Sequence, residues 1–215
     1  LIFYCIHKFN SGDQDFNSER FQFHKMMDEY DLLLGDKKEI EVYMFINSNI
    51  AACSSQEFDW AENFISKYRS YLPADQSERL VNMAYAHLYF TKGEFEKALK
   101  HLSKCDNAYG MDKVNIKTYE VFLYYELRYY EELKNLVDTS RRFISNDKIV
   151  SDEYKLIYKH FIEAVNMLNE CRYKKENDDD DRSVLLGIKN YIAENKMPHK
   201  GWLTRKLSEL ENHPA

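Results

Sequence analysis

The sequence predicts an all-α protein, a run of helices joined by short connections. Three observations carry this expectation. Apolar residues recur at three- and four-residue spacing along almost the whole chain, which is the period of one helix face. Six glycines and three prolines in 215 residues are too few turn formers for an all-β fold, whose strands reverse every 8–12 residues or so, roughly speaking. The balance of 44% hydrophobic, 15% aromatic and 31% charged residues is that of a chain with a core to bury, and not of a disordered one.

The elements follow in order. A first helix is expected over Ser18–Leu34, stopped by Gly35, the residue type that best closes a helix C-terminus. Asp36 with Glu39 three residues on has the form of a capping box for a second helix through Ala52. Its "IEVYMFI" stretch also has strand character, but no partner strand is visible. Helices are then expected over Phe58–Tyr71, closed by Pro73, and over Gln76–Thr91 and Glu94–Cys105. Val114–Leu127, Tyr129–Ile144 and Asp152–Cys171 continue the series. The segment Lys174–Arg182, "KKENDDDDR", reads as a solvated acidic loop, with Asp181 or Ser183 capping the next helix. Two last helices, Ser183–Asn195 and Lys200–Leu210, flank "KMPHKG". The organisation expected is helix pairs over residues 1–171, the acidic loop over 172–182 and capping helices over 183–215. The apolar opening "LIFYCIHKF" is too short for a membrane span and is read as the end of a core helix in a longer parent chain.

Helices of similar length with tight connections call for a search for repeats. In Met83–Cys105 the first helix supplies large Tyr85, small Ala86 and aromatic Tyr89. After Lys92-Gly93 come Phe95, Ala98, Leu102 and Cys105. Small residues at the helix crossing with aromatics beside them make a close-packed hairpin. This pattern resembles a tetratricopeptide repeat, with Asn82 where that family usually carries tryptophan and no proline near Asp106. A shift of 35 residues puts Tyr124 on Tyr89, Tyr130 on Phe95, Leu133 on Ala98, Val137 on Leu102 and Arg128 on Gly93. A shift of 37 the other way puts Phe58 on Phe95, Ala61 on Ala98 and Ile65 on Leu102. The copies are degenerate. The resemblance implies a right-handed solenoid whose first helices line a concave, peptide-holding groove. Its candidate peptide-binding residues are Met83, His87 and Phe90, then Asn115, Phe122 and Tyr125, with Leu80, Thr91, Thr118, Glu126, Tyr43, Ile46 and Ile50 beside them. Tyr124 and Tyr130 are expected in the core.

Thirty basic against 36 acidic side chains, a net charge of −6, argue against nucleic acid, whose binding draws on phosphate contacts. No nucleophile elbow, HExxH, glycine-rich phosphate loop or paired-carboxylate pattern is present, so no catalytic residue, cofactor or metal is predicted, and the chain is expected not to be an enzyme. His101 with Cys105, and His24 with Asp28 on what reads as an exposed face, have the spacing to share a metal. Packing is the simpler account of each. "NDDDD" lacks the alternation of a calcium loop. Four widely spaced cysteines read as buried thiols in a cytoplasmic protein. The function expected is a protein–protein scaffold or adaptor that binds a peptide or helix, with self-association through repeat ends as a further possibility and no membrane partner. The alternative is a regulatory or sensor domain of a larger enzyme or transcription factor.

Overall fold

A computed structural model of the chain describes residues 15–35, 38–105, 108, 110–176 and 182–212. The described residues are helical almost throughout, with a single isolated bridge, Leu34 to Ile40, in place of any sheet. They form two compact units, divided between residues 107 and 108. Among them no helix is long and apolar enough to cross a membrane.

The first unit contains α1 (Asp15–Glu29), α2 (Val42–Ser54), α3 (Phe58–Tyr68) with a 3-10 turn over Arg69–Tyr71, α4 (Ser77–Thr91) and α5 (Phe95–Leu102). Helix α2 packs against α1, α3 and α4, and α4 packs along α5. The core is unusually aromatic. Phe21 meets Trp60 edge-on at 5.2 Å, Trp60 stacks on Phe64 at 4.8 Å, and Phe64 stacks on Phe45 at 5.6 Å. Such pairs add about 0.5–1.5 kcal/mol each beyond their area.

Two expected boundaries are corrected here. Helix α1 ends at Glu29, not at Gly35: Asp31 takes a left-handed φ of 55° and Leu32 N–H bonds Met27 carbonyl at 2.8 Å. Helix α2 starts at Val42 and has no capping box, for Glu41 is its N-cap and makes no side-chain cap bond. The reason is Ile40, which is buried, and whose N–H bonds Tyr71 carbonyl at 2.9 Å. An extended Ile40 holds the chain out of the helix until two residues later. Asp36 lies outside the described residues.

The second unit contains α6 (Gly110–Glu126), α7 (Tyr130–Asn146), α8 (Asp152–Lys175), α9 (Arg182–Glu194) and α10 (Lys200–Asn212). Helix α8 packs on α7, α9 and α10, and α6 packs on α7. Ser151 caps α8 by accepting Tyr154 N–H, and Asp147 accepts Ile149 and Val150 N–H in the turn before it, at 2.8 Å each. Helix α8 continues through Lys175, so Arg172–Lys175 are helical and not the start of a loop. Ser183 lies inside α9 and is not its cap. Residues 177–181, and with them Asp181 and the "NDDDD" stretch, fall outside the described residues, as do "LIFYCIHKF" and Cys5. Cys53, Cys105 and Cys171 are buried thiols. Burial pushes the Cys53 thiol up to about 12.

The left-handed closure seen after α1 at Asp31 recurs three times, each time leading directly into another helix. At the ends of α2, α4 and α6 stand Gln56, Gly93 and Arg128, with φ of 60°, 77° and 60°. The residue after each bonds back to a carbonyl five positions earlier: Glu57 to Ala52, Glu94 to Tyr89 and Tyr129 to Tyr124, at 2.8–2.9 Å. That left-handed closure satisfies carbonyls that a helix end leaves open. Glycine takes it without cost, whereas glutamine and arginine carry a Cβ against the carbonyl oxygen. The next helix begins two residues on in each case, at Phe58, Phe95 and Tyr130. These are the same register shifts of 37 and 35 residues that align the sequence. At the crossings, Ala61, Ala86, Ala98 and Leu133 are all 0% exposed.

Candidate functional site

Helix α6 carries the densest aromatic stretch, and its environment differs from the sequence expectation. Phe122 and Tyr125 are buried, at 6% and 2% exposure. The chain's own α10 lies over them. Trp202 meets Phe122 at 4.7 Å and Tyr125 edge-on at 5.2 Å. Its indole Nε1–H donates to Glu126 Oε1 at 3.3 Å. One turn later, Lys206 Nζ pairs with Glu126 at 2.8 Å, with both side chains about nine-tenths buried, and with Glu209. His199, just before α10, stands edge-on to Phe122 at 5.1 Å. From the other side Arg172 of α8 holds its guanidinium 4.8 Å from the Tyr125 ring and donates from Nη1 to Tyr125 carbonyl at 2.9 Å. Asn115, five residues after the start of the same helix, is exposed.

Tyr124 and Tyr130, expected in the core, are only half-buried. They lie at the α6–α7 turn, where Tyr124 meets Tyr129 and the Tyr130 hydroxyl donates to Glu176 at 2.5 Å. The assignment of the two aromatic pairs is thus reversed. A tyrosine at the hairpin edge can keep its hydroxyl in water, whereas Phe122 and Tyr125 face a second layer of helices that the tail supplies.

In the first unit, the residues at the corresponding register are Met83, His87 and Phe90 on α4, all half-buried, with Phe90 against Phe95 at 5.7 Å. On α2, Tyr43 is 50% exposed and Ile46 39% exposed, while Ile50 is half-buried. Beneath this surface runs a polar layer. Asn49 Nδ2 donates to Ala84 carbonyl at 3.3 Å and lies 3.4 Å from His87 Nδ1. Ser48 Oγ meets His24 Nδ1 at 3.0 Å. Arg20 is buried close to both histidines. Burial, then the Arg20 charge, lowers His24 to about 4, and the same two causes lower His87 to about 4. Both imidazoles are therefore neutral at pH 7, which fits their hydrogen bonds to Ser48 and Asn49.

The His24–Asp28 face is not exposed as read from the sequence. His24 points inwards, and Asp28 accepts from Tyr68 Oη and Lys67 Nζ, each at 2.7 Å. His101 Nδ1 meets Asn82 Oδ1 at 3.0 Å, and Cys105 Sγ donates to the Arg79 and His101 carbonyls. No cluster of three potential metal ligands occurs among the described residues.

Sequence reasoning missed Trp202, Lys206 and Arg172. A signal was present, since Trp202 and Lys206 are four apart and share one face of a short amphipathic helix. Nothing in that spacing named α6 as the surface they would cover. Arg20 was missed, and His24 read as exposed, because polar side chains one turn apart read as a solvated face. Comparison with family models, with curated proteins and with solved structures finds no match.

Proposed function

We propose that the protein is an interaction scaffold that holds a helix or extended segment of a partner protein against the first helices of its hairpins. We read those hairpins as degenerate tetratricopeptide-like repeats in a superhelix. The repeated left-handed closure at Gln56, Gly93 and Arg128, in register with the buried Ala61, Ala98 and Leu133, supports the repeat reading. One observation carries the functional one: the face of α6 already seats a helix, with Trp202 on Phe122 and Tyr125 and Lys206 on Glu126. An aromatic anchor in an apolar seat with a charge pair beside it is how helix-in-groove recognition gains affinity and register.

In the second unit that seat is filled from within the chain. The partner surface falls to the first unit, where Tyr43 and Ile46 are exposed at the corresponding register of α2 and Met83 stands on the neighbouring α4. Large apolar side chains exposed together on one helix face mark interaction surfaces. A photo-crosslinking residue introduced at Ile46 and, separately, at Met83 in cells that make the protein should label the same partner. The same residue at Leu186, exposed on α9, should not. Equal labelling at all three positions, or none at Ile46 and Met83, would remove this face from the account.

A further inference from the structure

Away from those faces the first unit has an open cleft of about 500 Å³, within the size range of small-molecule sites. Three segments form it: the 3-10 turn that brings Arg69, the first half of α4 with Ser77, Glu78, Asn82 and, at its middle, Tyr85, and the α5 C-terminus with His101 and, just past it, Lys104. The lining carries two cations, Arg69 and Lys104, and neither forms an ion pair among the described residues. Glu78 supplies the single acidic side chain, so the lining is net positive in a protein whose formal charge is −6.

The polar groups on the wall are held in one arrangement. Asn82 Nδ2 donates to Glu78 carbonyl at 2.9 Å, which leaves Oδ1 to accept. His101 Nδ1, 3.0 Å from that oxygen, must then carry the proton, and Nε2 keeps its lone pair. The imidazole lies near-parallel to the Tyr85 ring at 5.0 Å and to the Tyr89 ring at 5.4 Å. Tyr85 Oη is in turn 3.3 Å from Ser66 Oγ. Burial first, then Lys104 and Lys100, lower the His101 pKa, in keeping with a neutral ring. The cleft thus combines two cations, a tyrosine ring and a fixed imidazole.

We infer that this cleft binds a small molecule with an oxyanion, a phosphate or a carboxylate, on an aromatic body, its oxyanion held by Arg69 or Lys104 and its ring against Tyr85. Cations that a folded chain leaves without an ion pair in a cleft are the usual means of holding such a group. The aromatic body follows from Tyr85, which lines the cleft and offers it an apolar ring.

Calorimetric titration of the full chain with phenyl phosphate and, separately, benzoate tests this. At least one should bind with a Kd of about 1 mM or tighter, as befits a fragment of that size. The stronger of the two identifies the oxyanion. In the R69Q/K104Q variant the affinity should fall at least about tenfold, the loss of roughly one good charge-assisted contact. A K25Q/K38Q variant removes equal charge from the same unit outside the cleft and should bind as the parent does. Tyr85→Leu should weaken both ligands while far-ultraviolet circular dichroism stays unchanged. No binding of either ligand would overturn the proposal. So would undiminished binding in R69Q/K104Q, or an equal loss in K25Q/K38Q.

Discussion

Acidification should loosen the first unit, and His24 makes the size of the effect calculable. Folded, its pKa is about 4 against 6.5 for the free side chain, because burial beside Arg20 penalises the charged ring. The unfolded chain therefore takes up the proton first. Stability is fully present above pH 6.5, declines as pH falls through that value, and stops declining near pH 4. For those two pKa values the loss between pH 7 and pH 5 is about 2 kcal/mol. His87, lowered for the same reasons, adds in the same direction. Urea denaturation at the two pH values, followed by tryptophan fluorescence, provides the assay. Each unit contains one of the two tryptophans, so a Trp202→Phe background leaves Trp60 to report on the first unit alone. In that background H24Q should lose about 2 kcal/mol less than the parent between pH 7 and pH 5. Carboxylate titrations are common to both proteins and cancel in the difference. An H24Q variant that loses as much as its parent would refute the reasoning.

Other perturbations read different parts of the same structure. Gln56→Gly should raise the stability of the first unit by about 1 kcal/mol, since it relieves a left-handed glutamine at φ 60°; a raised urea midpoint with an unchanged slope is the expected record. Lys206→Ala should cost about 3 kcal/mol by leaving Glu126 buried without its cation, and Glu126→Gln added to it should restore part of the loss. A thermal melt followed at Trp202 would show both. Tyr158→Phe should be neutral or stabilising by up to about 1 kcal/mol, because its hydroxyl is buried and makes no hydrogen bond among the described residues. A clear loss in that variant would mean that the hydroxyl has a partner after all.

Helix positions were legible because they depend on local information. The apolar period and the residues at the turns place α4, α7 and α8 to within a few residues of their ends. Gly93 marks its turn openly, and the alignment onto Arg128 carries the same turn to a residue that does not advertise it. Where the sequence reading failed, the deciding contact was remote. The extended Ile40 answers to Tyr71, 31 residues on, and no local rule for capping contains that bond. Phe122 and Tyr125 are covered by a tryptophan some 80 residues later, so their helix showed two aromatic faces and no means of choosing which was inside. The polar layer of Arg20, His24 and Asn49 was hidden for another reason. Burying such groups is favourable only when their partners are in place, and periodicity cannot say whether they are.

The buried thiols offer a clock. An alkylating reagent attacks the thiolate, and with Cys53 pushed up to about 12 inside the α2 core the folded chain presents almost none. Modification must wait until the surrounding helices part, so its rate measures how often they do. Cys53 and Cys105 belong to the first unit and Cys171 to the second. With Cys5 replaced by serine, mass spectrometry of the alkylated chain would therefore time the opening of each unit separately in a single tube.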